Sequence, residues 1–186
     1  MIRIGPGNCA FYGEDTGKRI IMIFETERLL VRQWEPDDLH KLHSLFADSA
    51  IIELIGPPLT MAETRQIFDE QLLQYNIDLK TGRYCIIDKV NNHFIGTFLL
   101  RKNVNNDAVE IGYAFRKKEW GKGYATEIVK RSVDYIFSST EFDVIYAYTE
   151  LPNFNSKKVL VKCGFVQQMN EVEFGTELNL FSIEKN

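Results

Sequence analysis

Residues 109–129 read VEIGYAFRKKEWGKGYATEIV, and this stretch indicates how the chain folds. It begins with an apolar run typical of a strand, passes through a short basic segment, and turns at Gly121 and Gly123 into an amphipathic helix. Glycine lets the backbone approach a ligand with no Cβ in the way, and a helix N-terminus presents unpaired N–H groups at the positive end of its dipole. The turn is therefore a candidate phosphate site.

The helix after the turn is predicted from the spacing of its apolar residues. Six of them recur at intervals of one, three and four residues: Ala125, Ile128, Val129, Val133, Ile136 and Phe137. Such a stripe occupies one face of a helix and is normally buried. We therefore expect a helix over residues 123–138 that fixes the glycine turn to the core.

Periodicity elsewhere predicts a mixture of helices and strands. Helices should begin at Pro36, which suits the first helical position, and after Thr60, which forms a capping box with Glu63. A strand–helix–strand crossover favours parallel pairing of residues 108–115 with residues 143–149. A final hairpin should turn near Gly175. The predicted strands are 26–34, 83–90, 93–102, 108–115, 143–149, 165–173 and 177–184.

Composition limits the class of protein. The chain has 186 residues, 45% of them hydrophobic, which suits one buried core and is too short for two ordinary domains. We expect one domain over residues 22–186, preceded by a glycine-containing extension over residues 1–21. The net charge of −4 argues against a surface that binds duplex nucleic acid directly, which would need excess Lys and Arg.

The cysteines and the lengths of the apolar runs indicate where in the cell the protein is expected. Cys9, Cys85 and Cys163 are odd in number, widely separated and not in a C-x-x-C pattern, so we expect reduced thiols in a cytoplasmic protein and no metal site. No apolar run approaches the roughly 20 residues that a membrane span needs. We therefore expect no membrane association.

Two common nucleotide-binding loops do not fit the glycine turn. A dinucleotide fingerprint would have Gly at position 126, where Thr126 stands, and a Walker loop would have Gly-Lys-Ser/Thr, which the chain lacks. Residues 120–125, WGKGYA, instead resemble the pyrophosphate loop of the GNAT-type acetyl-CoA-dependent N-acetyltransferases, Gln/Arg-x-x-Gly-x-Gly/Ala. Gly123 and Ala125 match, and Trp120 replaces the first residue, as in many members of the branch that acetylates ribosomal-protein N termini.

The resemblance extends along the chain from about residue 24 to residue 184. It includes the strand at residues 26–34, the Glu-Ile-Gly-Tyr run at residues 110–113, and the Asn-x-x-Ser…Gly-Phe pattern over residues 153–165. It implies an α+β fold with a mixed, mainly antiparallel sheet of about seven strands flanked by about four helices. The fourth and fifth strands of that sheet splay apart and leave a slot for the pantetheine arm of CoA.

The resemblance also implies which residues bind acetyl-CoA, the expected co-substrate. The strand backbone at Tyr113, Ala114 and Phe115 should pair with pantetheine, and the glycine loop should hold the pyrophosphate. Lys122 and Lys158 are possible phosphate ligands, and Asn153 and Ser156 should lie near the sulfur. The loop residues are Trp120, Gly121, Lys122, Gly123, Tyr124, Ala125 and Thr126.

Catalysis requires a neutral amine. An α-amino group with a pKa of about 7.7–8.0 needs little help at neutral pH, whereas a lysine-like amine with a pKa of about 10.4 needs a base. Glu110 and Glu173 match family positions for such a base; either could instead be an ordinary solvated or ion-paired carboxylate. A strand N–H near Ala114 can stabilise the oxyanion.

The CoA thiolate needs one hydrogen-bond donor when it leaves. Many family members supply a Tyr at the position of Leu160, so Ser156 becomes the candidate donor, with helix capping as its alternative role. Cys163 has no neighbouring His and is not expected to be a nucleophile.

Three functions stay open on the sequence. The leading one is direct acetyl transfer to the N-terminal amine of a peptide or ribosomal protein. The second is acetylation of a small amine, such as a polyamine, an aminoglycoside or an amino-acid-like metabolite. The third is a non-catalytic module that senses acetyl-CoA. Exposed edge strands make a homodimer possible.

Overall fold

A computed structural model describes residues 10–12, 19–55, 58–78, 80–103, 107–173 and 175–185. These residues form ten strands and five α-helices. The strands are β1 Ala10–Tyr12, β2 Arg19–Glu25, β3 Leu29–Arg32, β4 Gly82–Asp88, β5 Phe94–Lys102, β6 Val109–Phe115, β7 Val144–Glu150, β8 Val166–Gln167, β9 Glu171–Glu173 and β10 Thr176–Glu184. The helices are α1 Leu39–Phe46, α2 Ser49–Ile55, α3 Met61–Gln74, α4 Tyr124–Ser139 and α5 Phe154–Lys162.

The strands in the described ranges form one open sheet. Their order is β1-β2-β3-β4-β5-β6-β7-β10-β8, and β9 pairs with β10. The described strand pairs are antiparallel except β6 with β7. This confirms the predicted α+β class and the mainly antiparallel sheet.

Helices cover both faces of the sheet. On one face, the ring of Tyr135 in α4 lies 5.4 Å from that of Phe24, which packs edge-on against Phe98. On the other face, the guanidinium of Arg83 in β4 lies over the ring of Phe46 in α1. Because successive strand residues point to opposite faces, these contacts define an α4 face and an α1–α3 face.

Two local predictions from periodicity and capping are confirmed. Three residues of the predicted stripe on α4, Ile128, Val129 and Ile136, are buried in the core. At the start of α3, Thr60 accepts a hydrogen bond from the Glu63 N–H at 3.2 Å, and the Glu63 carboxylate accepts one from the Thr60 N–H at 2.8 Å. The apolar stripe and the capping box each depend on residues close together in the chain, so both could be predicted from the sequence alone.

The predicted first strand needs correction. Residues 26–34 are not one strand, because the Thr26 N–H bonds the Leu29 carbonyl at 2.9 Å and closes a turn between β2 and β3. Strand β2 begins at Arg19 and crosses the expected domain boundary at residue 22, and β1 pairs with it. Residues 1–9 and 13–18 of the predicted extension lie outside the described residues. Helix α2 was not predicted either.

The structure also bears on membranes, metals and thiols within its described ranges. None of the helices there is long and apolar enough to cross a membrane. No group of three or more His, Cys, Asp or Glu side chains in the same ranges could hold a metal ion. Cys85 is a buried free thiol and Cys163 a half-buried one, whereas Cys9 lies outside the described residues.

We expect Gly96→Ala to destabilise the fold, because a Cβ at position 96 would lie 2.2 Å from the backbone oxygen of Ala114. Backbone on the neighbouring strand cannot rotate away, so the overpacking should cost about 3 kcal/mol. Urea denaturation measures the loss. Gly112→Ala is the matched control, since its Cβ would meet the Leu99 side chain at an ordinary 3.5 Å. Equal midpoints for the two variants would contradict this account.

Candidate functional site

A slot opens in the sheet between β6 and β7. The two strands pair in parallel only at Val109 with Ile145 and at Glu110 with Tyr146. Beyond these pairs β6 stays bonded to β5, and β7 stays bonded to β10 as far as Glu150. The two halves of the sheet therefore separate from residue 111 onward, which confirms the predicted parallel pairing and the predicted splay.

The backbone of β6 presents free groups to this slot. Arg116 donates its N–H to the Ile95 carbonyl at 3.1 Å, which sets the phase of the β5–β6 ladder. Bonded pairs alternate along an antiparallel ladder, so Ala114 directs its N–H toward β5. Tyr113 and Phe115 direct theirs into the slot. The strand N–H that was expected near Ala114 to stabilise the oxyanion can therefore come from Tyr113 or Phe115, but not from Ala114 itself.

The glycine loop lies between β6 and α4. Gly121 has a φ of 75° and Gly123, the N-cap of α4, has a φ of 83°. Both values lie in the left-handed region that side chains disfavour, although a Cβ at Gly121 would meet nothing within 4 Å. Since the N-cap has no side chain, the first N–H groups of α4 stay available to an anion. These belong to Tyr124, Ala125 and Thr126.

Trp120 attaches the loop to the end of β6. Its indole Nε1–H donates to the Phe115 carbonyl at 2.8 Å, and its side chain remains partly exposed. The carbonyl of Phe115 belongs to the slot-facing set, so the indole occupies one acceptor on that wall. Trp120, which departs from the family pattern, therefore attaches the glycine loop to β6 through this hydrogen bond.

Arg28, in the turn between β2 and β3, contacts both the glycine loop and helix α4. Its guanidinium donates to the Lys122 carbonyl at 3.1 Å and lies 4.5 Å from the centre of the Tyr124 ring. The same guanidinium donates through Nε to the Glu127 carboxylate in α4 at 2.7 Å, and the Arg28 N–H donates there at 3.0 Å. Arg28 carries no local signal of this role in the sequence, because its partners Lys122 and Glu127 lie about 100 residues away.

The far end of the slot is lined by α5. Asn153 is its N-cap and accepts a hydrogen bond from the Ser156 N–H at 3.1 Å. The Tyr113 hydroxyl donates to Ser156 Oγ at 3.3 Å and so links β6 to α5. Burial raises the pKa of Tyr113 to about 12, against the opposing effect of the Ser156 hydrogen bond, so this hydroxyl stays protonated at neutral pH. Leu160 is buried.

Comparison with known proteins identifies this arrangement. Residues 28–166 match the acetyltransferase (GNAT) domain family. The chain belongs to the GNAT acetyltransferase family. It is 29% identical over 145 residues to the uncharacterised N-acetyltransferase p20 of Bacillus licheniformis, a match that covers 77% of this chain and 82% of that protein. The family and this relative make the chain an acetyl-CoA-dependent N-acetyltransferase.

Solved structures of similar fold differ in the acceptors that their names state. Spermidine N-acetyltransferase from Vibrio cholerae, in complex with CoA and spermine, has a TM-score of 0.72 and 21% identity, covering 84% of this chain and 95% of that one. RimL, the ribosomal L7/L12 α-N-protein acetyltransferase in complex with CoA, has a TM-score of 0.75 and 16% identity, covering 88% and 98%. At these identities the likeness shows the fold alone.

The two lysines predicted to bind phosphate have different surroundings in this acetyltransferase. Lys122 Nζ lies 2.8 Å from the carboxylate of the buried Glu119, and this hydrogen bond raises the pKa of Lys122. Lys158 is exposed on α5. The charge of Lys122 is therefore already paired with Glu119. The contacts of Lys122 and Lys158 with phosphate stay predictions.

The two glutamates predicted as bases also differ. Glu110 lies at the mouth of the slot, where its Oε2 is 2.7 Å from Arg101 Nε and its side chain is 13% exposed. The backbone of Glu173 ends β9, and its side chain lies outside the described part of the structure. Glu110 therefore lies near the point where β6 and β7 diverge. Its carboxylate forms an ion pair with Arg101, which was the alternative to a role as base.

Cys163 does not have the surroundings of a nucleophile. Its Sγ lies 3.8 Å from the Thr126 carbonyl, and burial raises the pKa of its thiol despite nearby lysines. A thiol held protonated is a weak nucleophile. Direct transfer in a ternary complex remains consistent with this environment.

We expect the Glu127 carboxylate to stabilise the loop in a pH-dependent way. Burial alone would raise its pKa, but hydrogen bonds from Thr26 and Arg28 outweigh that effect and hold the pKa below the ordinary 4.5. A depressed pKa means that the stabilisation is present above pH 4.5 and is lost as the pH falls through the folded-state pKa. Glu127→Gln should therefore lower stability at pH 7 by about 1 kcal/mol, a modest value because Arg28 is exposed.

Thermal melting of wild type and Glu127→Gln between about pH 7 and about pH 3 measures this effect, because the loss occurs below pH 4.5. The difference in melting temperature should be about 2–4 °C at pH 7 and should shrink below pH 4.5. Glu141→Gln, which removes an exposed carboxylate, is the control and should show no such trend. A pH-independent difference for Glu127→Gln would refute the assignment.

Proposed function

We propose that this enzyme transfers the acetyl group of acetyl-CoA directly to a primary amine, and that the acceptor is the N-terminal amine of a peptide or ribosomal protein. One observation carries the proposal: a glycine loop suited to a diphosphate adjoins a slot whose wall offers the N–H groups of Tyr113 and Phe115 and whose far end holds Ser156. A small amine is the second candidate acceptor.

Each step of the proposed reaction can be assigned to groups between the start of α4 and Ser156. The N–H groups at the start of α4 would bind the diphosphate, and the Tyr113 and Phe115 amides would bind the pantetheine arm. A slot-facing amide would also stabilise the oxyanion that forms when the amine attacks the thioester carbonyl. Ser156 Oγ accepts a hydrogen bond from the protonated Tyr113 hydroxyl and would use its own O–H to donate a hydrogen bond to the departing thiolate.

The proton of the attacking amine needs an acceptor. Glu110 is the carboxylate candidate at the mouth of the slot, on the α1–α3 face, and Glu173 is the family-based alternative. An α-amino group requires less assistance than a lysine-like amine at neutral pH, which favours an N-terminal acceptor when the base is engaged in an ion pair.

Ligand stabilisation and thiol release together test the proposal. Acetyl-CoA at about one hundred times its dissociation constant should add about 2.7 kcal/mol to the free energy of unfolding, and NAD and ATP should add far less. A panel of peptides with free N termini, spermidine and other small amines should release free thiol, fastest with the peptides. Stabilisation by acetyl-CoA without thiol release from any amine would identify a sensing module instead.

Separate variants should identify the base. Glu110→Gln or Glu173→Gln, whichever removes it, should lower kcat by about a hundredfold or more while the dissociation constant for acetyl-CoA stays unchanged. Arg101→Gln controls for the loss of the ion pair to Glu110 and should retain most of the activity. Full activity in both glutamate variants would exclude both residues.

A further inference from the structure

Arg83 occupies a row of residues that leads across the sheet to the slot. It lies opposite Leu99 on β5, and Leu99 lies opposite Gly112 on β6. Directly opposed residues share a face, and the contact of Arg83 with Phe46 puts this row on the α1–α3 face. Two strand spacings, roughly 10 Å, separate the backbone of Arg83 from Gly112, where the slot opens.

The backbone of Arg83 is held rigidly by α3 and the residue that follows it. The Arg83 N–H donates to Gln71 Oε1 at 2.6 Å, and the Arg83 carbonyl accepts a hydrogen bond from the Tyr75 hydroxyl. The guanidinium carbon lies 5.4 Å from the centre of the Phe46 ring. The start of this side chain is therefore fixed, and an aromatic surface supports its charged end.

The guanidinium of Arg83 has no acidic partner among the residues that the structure describes. The charged groups that face it are Arg101 and Glu110, and Glu110 is already ion-paired with Arg101. Tyr75 is the other titratable group nearby. Among the described residues, Arg83 therefore has no carboxylate of its own within ion-pair distance.

A half-buried cation of this kind is unfavourable without an anion. Burial lowers the pKa of Arg83 to about 10, and the nearby Arg101 adds to this effect. Bound carboxylate would supply the missing negative charge, because a guanidinium can donate two parallel hydrogen bonds to it. Gly112 has no side chain, so within this row the Leu99 side chain alone lies between Arg83 and the slot.

We propose that Arg83 binds a carboxylate of the acceptor, so that the acceptor is an amine that also carries an anionic group. The inference rests on the proposed function, since it requires the acceptor amine to approach the slot from the α1–α3 face. The carboxylate belongs either to a small amino-acid-like acceptor or to an acidic side chain next to a peptide N terminus. A polyamine would instead bring a second positive charge to Arg83.

Matched acceptors test the charge preference. One pair is the dipeptide Ser-Ala with a free C-terminal carboxylate and the same dipeptide as its amide. The other pair is a tripeptide amide with Asp or Asn at its second position. The member with the carboxylate should have a KM at least about tenfold lower in one pair or both, the scale expected of a charged hydrogen bond. The pair that responds identifies the source of the carboxylate.

Variants then assign the preference to Arg83. Arg83→Gln should remove the tenfold advantage by raising KM for the carboxylate acceptor, with kcat and the neutral acceptor unchanged within about twofold. Arg83→Lys should keep part of the advantage. Lys102→Gln removes the same charge from the next β5 residue after Arg101 and should have no effect. Equal losses in Arg83→Gln for both members of the responding pair, or equal KM values within both pairs in the wild type, would overturn the proposal.

Binding experiments separate this proposal from the proposed function. Calorimetry with CoA present compares N-acetyl-Ser-Ala with its amide, and N-acetylated Asp and Asn tripeptide amides with each other. The carboxylate ligand should bind at least about tenfold more tightly to wild type and lose that advantage in Arg83→Gln. Turnover failing with every amine while this preference persists would reject only the enzymatic function. Turnover with no carboxylate preference in either pair would reject only the carboxylate site.

Discussion

Strands β6 and β7 pair through two residues and then diverge, and the organisation of the site depends on that divergence. A continuous ladder would use the N–H groups of Tyr113 and Phe115 within the sheet. Because β6 remains bonded to β5 and β7 to β10, the sheet keeps most of its hydrogen bonds while exposing a short run of backbone between them. The opening is stable because well-packed strands flank it on both sides.

The glycine loop needs support that its own residues cannot give. Glycines at positions 121 and 123 permit the left-handed turn but make the unfolded chain more flexible, so ordering the loop costs entropy. Trp120 binds the loop to β6, and Arg28 binds it to β2, β3 and α4 through Lys122 and Glu127. Contacts from several elements thus compensate for the absence of side chains at the turn.

Local signals in the sequence predicted much of the fold. The apolar stripe of α4, the Thr60 capping box and the crossover from β6 to β7 each depend on residues close together in the chain. The turn that separates β2 from β3 was missed because the apolar run at residues 20–24 has no alternating pattern and follows a glycine-containing segment. The glycine loop and Ser156 could be proposed from motifs. Their contacts with Arg28 and Tyr113 could not, since 94 and 43 residues separate the partners.

The hydrogen bond from Trp120 to Phe115 has a further consequence for the length of the acyl group. It keeps the loop at a constant distance from the wall of the slot, and the pantetheine arm is also constant in length. With pantetheine in the slot as proposed, this fixed distance would set the position of the acyl carbonyl carbon. Any additional carbons of a longer acyl chain would extend past that point, so room on the α1–α3 face, and not the loop, would decide which chain lengths the enzyme tolerates.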